Sequence, residues 1–102
     1  MQTSKQSFHF NFAYVDEKRE MYIEVKTTTG SSTTPFYISE NEIDKSRELK
    51  DKYYIYRLYK MDRHNPKNVD YFILQGDIST NQHVTIEKRN CRVIINNSTE
   101  KL

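Results

Sequence analysis

The segment FHFNFAYV alternates strictly: Phe8, Phe10, Phe12 and Tyr14 fall on one face of an extended chain, and His9, Asn11, Ala13 and Val15 fall on the other. That period of two predicts a half-buried strand. DEKR turns the chain, and the residues from Glu20 to Thr28 alternate again. Pairing Val15 with Glu20 sets Phe12 opposite Ile23, Phe10 opposite Val25 and Asn11 opposite Glu24. Every large apolar group then shares one side, and a slip by one residue would mix the faces. An antiparallel hairpin with this register is the strongest constraint on the fold.

Further elements follow by the same reasoning. TTTGSSTT is a polar loop leading through Pro35 into a short extended FYI. Ser39 followed by Glu42 is a capping-box pattern, and good helix formers run from Glu40 to about Asp51 with a thin stripe of Ile43, Ser46, Leu49 and Tyr53. YYIYRLYKM and VDYFILQGD are rich in aromatic and branched residues on both faces, which predicts two strands in the middle of a sheet, joined by the loop DRHNPKN. HVTIEK and RVIIN are shorter strands about a turn at Arg89-Asn90, and the tail NSTEKL is expected to fray. The predicted class is α+β: one main helix against a mixed, twisted sheet in a single domain spanning residues 1–102.

Composition narrows the function classes. The chain has 102 residues, 29% of them charged, with a net charge of +2. This balance is too weak to indicate nucleic acid, although Lys45, Arg47, Lys50, Lys52, Arg57, Lys60, Arg63 and Lys67 make the middle locally basic. Cys91 is the sole cysteine, which excludes an intrachain disulfide and a cysteine-based zinc cluster. No apolar run approaches the roughly 18 residues of a membrane span, and MQTSKQSFHF lacks a signal-peptide core. A soluble, cytoplasmic protein is expected, with no membrane partner.

Glu24 and Lys26 are the most suggestive pair. Alternate residues on one strand face, they match the arrangement of metal-dependent phosphodiester cleavage, in which a carboxylate binds Mg²⁺ and a lysine acts on the attacking water or neutralises developing charge. Asn11, opposite Glu24, offers an amide oxygen but no charge. The plainer alternative is a solvated strand face, with Ile23 and Val25 turned to the core. Asp16 and Glu17 read as turn residues, and His9, His64 and His83 share no metal-ligand spacing. Cys91 reads as a small packing residue, and the cluster Tyr53, Tyr54, Tyr56 and Tyr59 as core and sheet surface rather than a base-stacking platform.

The succession YIEVKTT, a polar loop, FYISENEI, DKYYIYRLYKMD, NVDYFILQGD and VTIEKRNCRVII resembles the NO VEIN C-terminal-like domains of unknown function, over about residues 9–96. These are placed in the PD-(D/E)XK, or restriction-endonuclease-like, nuclease superfamily. The resemblance implies a restriction-endonuclease-like core, Glu24 and Lys26 as catalytic residues, and Asn11, Glu24 and the carbonyl of Val25 as ligands of Mg²⁺, with DNA as the partner. It implies for Asn41 and Glu42, the family's NE at the helix start, either a capping or a site role. In the family an aspartate stands where this chain has Asn11, and helical sequence precedes the hairpin where this chain has only about seven residues. A shortened N-terminal side leaves one sheet face thinly covered, to be completed by a homodimer or a partner protein. Two functions follow: a Mg²⁺-dependent DNA endonuclease, or a catalytically inactive module on the same fold that binds protein or nucleic acid.

Overall fold

The computed structural model describes residues 7–15, 20–88 and 91–96, with side chains from Met21 onward. The turn residues Asp16 and Glu17, the turn at Arg89-Asn90, the tail from Asn97 and the imidazole of His9 lie outside the described residues. In chain order the elements are β1 (Ser7–Val15), β2 (Glu20–Thr28), β3 (Phe36–Tyr37), α1 (Glu40–Leu49), β4 (Tyr53–Tyr59), β5 (Asp70–Gln75), β6 (Val84–Glu87) and β7 (Arg92–Ile95). This is the expected α+β class with one main helix.

The β1–β2 hairpin has the register its alternation requires: Val15 pairs with Glu20, Phe12 with Ile23 and Asn11 with Glu24. β2 then pairs in parallel with β4, setting Tyr22 beside Tyr53, Glu24 beside Ile55 and Lys26 beside Arg57. A parallel pair needs a crossover, and α1 lies within this one. β4 and β5 are antiparallel, so the main sheet runs β1-β2-β4-β5 and is mixed.

The expected single sheet is replaced by two. β3, β7 and β6 form a separate three-stranded antiparallel sheet, because their short segments pair with one another and not with β5. β5 consequently lies at an edge of the main sheet, against the expectation that both long aromatic segments are central. Its burial shows why: Phe72 and Leu74 are buried, while Asp70, Tyr71 and Gln75 face solvent. One apolar face is enough for an edge strand.

α1 begins as the sequence indicates. Ser39 Oγ accepts the Glu42 amide at 3.1 Å, and Glu42 Oε1 accepts the Ser39 amide at 3.0 Å, closing a capping box. It ends at Leu49, two residues before the expected Asp51. Lys50 turns to φ +55°, and Lys50–Lys52 form a 3₁₀ turn. Lys50, Asp51 and Lys52 tolerate helix, but Tyr53 must drop into register with Tyr22, so strand pairing overrides local propensity. Of the predicted stripe, Ile43 and Ser46 are buried, Leu49 is half-buried, and Tyr53 belongs to β4. Ser46 is satisfied inside: its Oγ donates to the Ile43 carbonyl at 2.7 Å and accepts the Ile78 amide at 3.1 Å, tying α1 to the turn at Ile78–Thr80.

The core lies between the main sheet and the layer formed by α1 and the small sheet. Tyr53, Ile55 and Tyr59 from β4, Phe72 and Leu74 from β5, Ile43 from α1, and Phe36, Val84, Val93 and Ile95 from the small sheet form one cluster. Each apolar side chain so buried contributes roughly 1.5–3 kcal/mol. Cys91 packs against this cluster, as expected of a small apolar residue. The opposite face of the main sheet carries Ile23, Val25, Tyr54, Tyr56, Leu58, Tyr71 and Ile73, none of which joins the cluster.

A buried acid–lysine–acid site beneath the helix start

Strand alternation puts Tyr22, Glu24, Lys26 and Thr28 on one face of β2 and Ile23 and Val25 on the other. Parallel pairing then decides which face is inside. Tyr22, Glu24 and Lys26 share their side with Tyr53, Ile55 and Arg57, the core side of β4, so the polar face points inward beneath α1. The reading of Glu24 and Lys26 as a solvated face is therefore incorrect: Glu24 is 0% exposed and Lys26 4%. Ile23 and Val25 do not turn to the main core either.

A buried ion is tolerated only when paired. Lys26 Nζ lies 3.1 Å from Glu42 Oε1 and 3.7 Å from Glu24 Oε2. One ammonium thus stands between a carboxyl from the sheet and a carboxyl from the helix. Glu42 serves two elements at once, since the oxygen that accepts from Lys26 is the one that closes the capping box on Ser39.

The two acids titrate apart. Burial, then the hydrogen bond and charge of Glu42, push Glu24 up to about 8, with Lys26 opposing. Burial also works to raise Glu42, but the hydrogen bonds with Glu24 and the Ser39 amide, together with Lys26, hold it below the ordinary carboxylate value. The pair therefore keeps one proton near neutral pH, on Glu24, which donates to Glu42.

Two tyrosines wall the site. Tyr22 hydrogen-bonds Glu24 and stacks on Tyr53 with centroids 5.3 Å apart and planes inclined by 13°. Lys45, one turn beyond Glu42 on α1, places its Nζ 5.4 Å from the Tyr22 ring centroid. The Tyr53 hydroxyl is buried without a hydrogen-bond partner, and its pKa is raised by burial and then by the charges of Glu24 and Glu42. Arg57, beside Lys26, is not part of a surface basic face: it is 0% exposed. Its Nη2 donates to the Thr34 carbonyl at 3.1 Å, and its guanidinium lies 5.0 Å from the Phe36 centroid. Nε and Nη1 are buried without a partner, and burial lowers its pKa to about 10.

The structure thus brings Glu24 and Lys26 together, and sets the backbone of Asn11 across from Glu24 on β1. The Asn11 side chain lies outside the described residues. Val25 directs its side chain to the other face, leaving only its carbonyl, in the plane of a strand paired on both sides. Among the described residues no three His, Cys, Asp or Glu side chains converge as a metal group. Glu24 and Glu42 are nonetheless in hydrogen-bonding contact, and two hard carboxylate oxygens suit Mg²⁺, which is commonly held by one or two carboxylates with water and substrate phosphate. Tyr22 and Tyr53 carried no sequence signal for the site. Glu42 carried one, the capping-box position, that left its second role undecided.

Fold and site together define a small α+β domain with an acid–lysine–acid cluster buried under a helix start. Residues 1–72 match the family described as Protein NO VEIN, C-terminal, and the chain belongs to that family. No curated protein and no solved structure matches the chain. Among the described residues, no helix is long and apolar enough to cross a membrane.

Proposed function

We propose that this domain carries a metal-dependent phosphodiester-hydrolysing site for DNA, built on the restriction-endonuclease-like plan of the PD-(D/E)XK superfamily. The observation that supports it best is the burial of Glu24 and Lys26 side by side on the inner face of β2, 3.7 Å apart. Burying an acid and an amine costs several kcal/mol that a pair on the surface would not incur, and such placement is characteristic of sites that use them.

In this reading Glu24 would hold Mg²⁺, with the Asn11 amide oxygen and the Val25 carbonyl as the further candidate ligands. When bound, such an ion would supply Lewis-acid polarisation of the phosphate and make the attacking water more acidic. Lys26 would orient the attacking water and neutralise charge developing on the phosphate. Glu42 holds the Lys26 ammonium in place through the 3.1 Å contact, and Tyr22 orients Glu24.

Cleavage of duplex and single-stranded DNA with Mg²⁺ or Mn²⁺ tests this, comparing wild type with Lys26→Met, which keeps an unbranched side chain one atom shorter and removes the charge. Cleavage by wild type that disappears in the variant is the expected result. A second reading rests on Asn11, which brings no charge to the position facing Glu24: the module binds DNA or a protein and does not cut. Retention of DNA with no cleavage under any metal condition selects it, and neither binding nor cleavage refutes the DNA assignment.

A further inference from the structure

Glu42 is held by a capping box and faces Glu24 across one lysine, and these two facts assign it more than a structural task. We infer that Glu24 and Glu42 together form a divalent-cation site, one carboxylate from β2 and one from the first turn of α1, with Lys26 as the internal cation that holds the pair in the absence of metal. The inference rests on the metal-dependent reading above and changes its ligand set: the negative charge missing at Asn11 is supplied by Glu42.

Three observations carry it. First, Lys26 Nζ is within 4 Å of both carboxyl groups, 3.1 Å from Glu42 and 3.7 Å from Glu24, so a point near the ammonium is in reach of both. A Mg²⁺ or Mn²⁺ ion at such a point would draw an oxygen from each. Second, Glu42 Oε1 accepts from Ser39 and from Lys26, and the same carboxyl is in hydrogen-bonding contact with Glu24, so the two acids already stand side by side. Third, the Tyr53 hydroxyl is fully buried, has no hydrogen-bond partner, and senses the charge of both acids from the same face of the sheet. A buried hydroxyl left unpaired costs about 1–3 kcal/mol, and a water carried by an ion held between Glu24 and Glu42 is a natural acceptor and donor for it.

A purely structural Glu42 would cap α1 and neutralise Lys26, nothing more. Glutamine separates the two roles, because its amide oxygen still closes a capping box while its charge is gone. Mn²⁺ binding to the full chain is measured by isothermal titration and by the paramagnetic signal of free Mn²⁺, for wild type, Glu24→Gln, Glu42→Gln, Lys26→Met and Ser39→Ala. The expected pattern is a loss of at least about tenfold in affinity for each glutamine variant, tighter binding than wild type for Lys26→Met, and little change for Ser39→Ala. Circular dichroism and melting identify any variant that fails to fold. Ser39→Ala then stands in for Glu42→Gln: it removes the cap and leaves the carboxylate, so a loss there comparable to that of Glu24→Gln overturns the inference. Wild-type affinity in Glu42→Gln, with loss in Glu24→Gln, overturns it while leaving Glu24 as a ligand of the site. Affinity in Lys26→Met no greater than wild type overturns the counter-ion role of Lys26. No Mn²⁺ binding by wild type overturns both this inference and the metal-dependent reading.

Discussion

Replacing Glu24 by glutamine isolates the proton that the site retains. In the folded chain Glu24 titrates near 8 instead of 4.5, so between those values the folded state binds a proton that the unfolded state has released. Stability therefore falls as pH rises through this window, with a slope of up to about 1.4 kcal/mol per pH unit. The interval from 4.5 to about 8 sets a ceiling of about 5 kcal/mol. Relaxation of the site around an ionised Glu24, with Lys26 already 3.7 Å away, reduces this. A loss of about 2 kcal/mol between pH 5.5 and 8.5 is expected. Glu42, held below the ordinary carboxylate value, acts in the opposite sense: its contribution is present above 4.5 and disappears as the solution is acidified below it. Wild type should thus be most stable near pH 5. Glu24→Gln keeps a donor toward Glu42 but has no proton to lose. Urea unfolding of both proteins at half-unit steps from pH 4.5 to 9 measures the effect, and the difference between the two curves removes the histidines common to both. Parallel curves across the window would refute the shared-proton description of the site.

Three other perturbations test separate parts of the fold. Ser39→Ala removes the side-chain acceptor of the Glu42 amide and should lower unfolding free energy by about 1 kcal/mol, read from urea midpoints at constant m-value. Arg57→Met should be better tolerated than Arg57→Lys: methionine removes a desolvated cation with two unpaired nitrogens, Nε and Nη1, and stays apolar against Phe36, whereas lysine keeps the buried charge and loses the fork that reaches the Thr34 carbonyl. A higher melting temperature for the lysine variant would contradict this. Gly76→Ala should cost about 1 kcal/mol through backbone strain alone, because Gly76 has φ +94° and an added Cβ meets nothing within 4 Å. A thermal melt unchanged from wild type would place that strain elsewhere.

Alternation and local chemistry made much of this legible from the residues. The hairpin register, including Asn11 opposite Glu24, follows from the requirement that Phe10, Phe12, Ile23 and Val25 share a face, and the start of α1 follows from Ser39 and Glu42. Alternation separates the two faces of β2 but does not say which one is inside. Hydrophobicity favoured Ile23 and Val25; the answer came from β4, whose parallel register aligns Glu24 with Ile55 and Lys26 with Arg57 on the core side. That is a contact between segments about thirty residues apart, and no local period encodes it. The same limit hid the second sheet, since β3, β6 and β7 are two to four residues long and are defined by their partners. Arg57 read as surface charge because an arginine among tyrosines looks the same on either face.

One oxygen atom, Glu42 Oε1, accepts both from the Ser39 backbone and from Lys26. The opening of the helix's first turn and the freedom of the Lys26 ammonium are consequently governed by a single equilibrium, and linkage makes the dependence mutual. Whatever draws Glu42 toward an occupant of the site changes how often the amides of Ser39 and Glu42, the two donors of the capping box, exchange with solvent, and whatever frays that turn alters the field in which an occupant is held. Amide exchange at two backbone positions therefore reports on site occupancy for any ligand, whether or not a reaction follows.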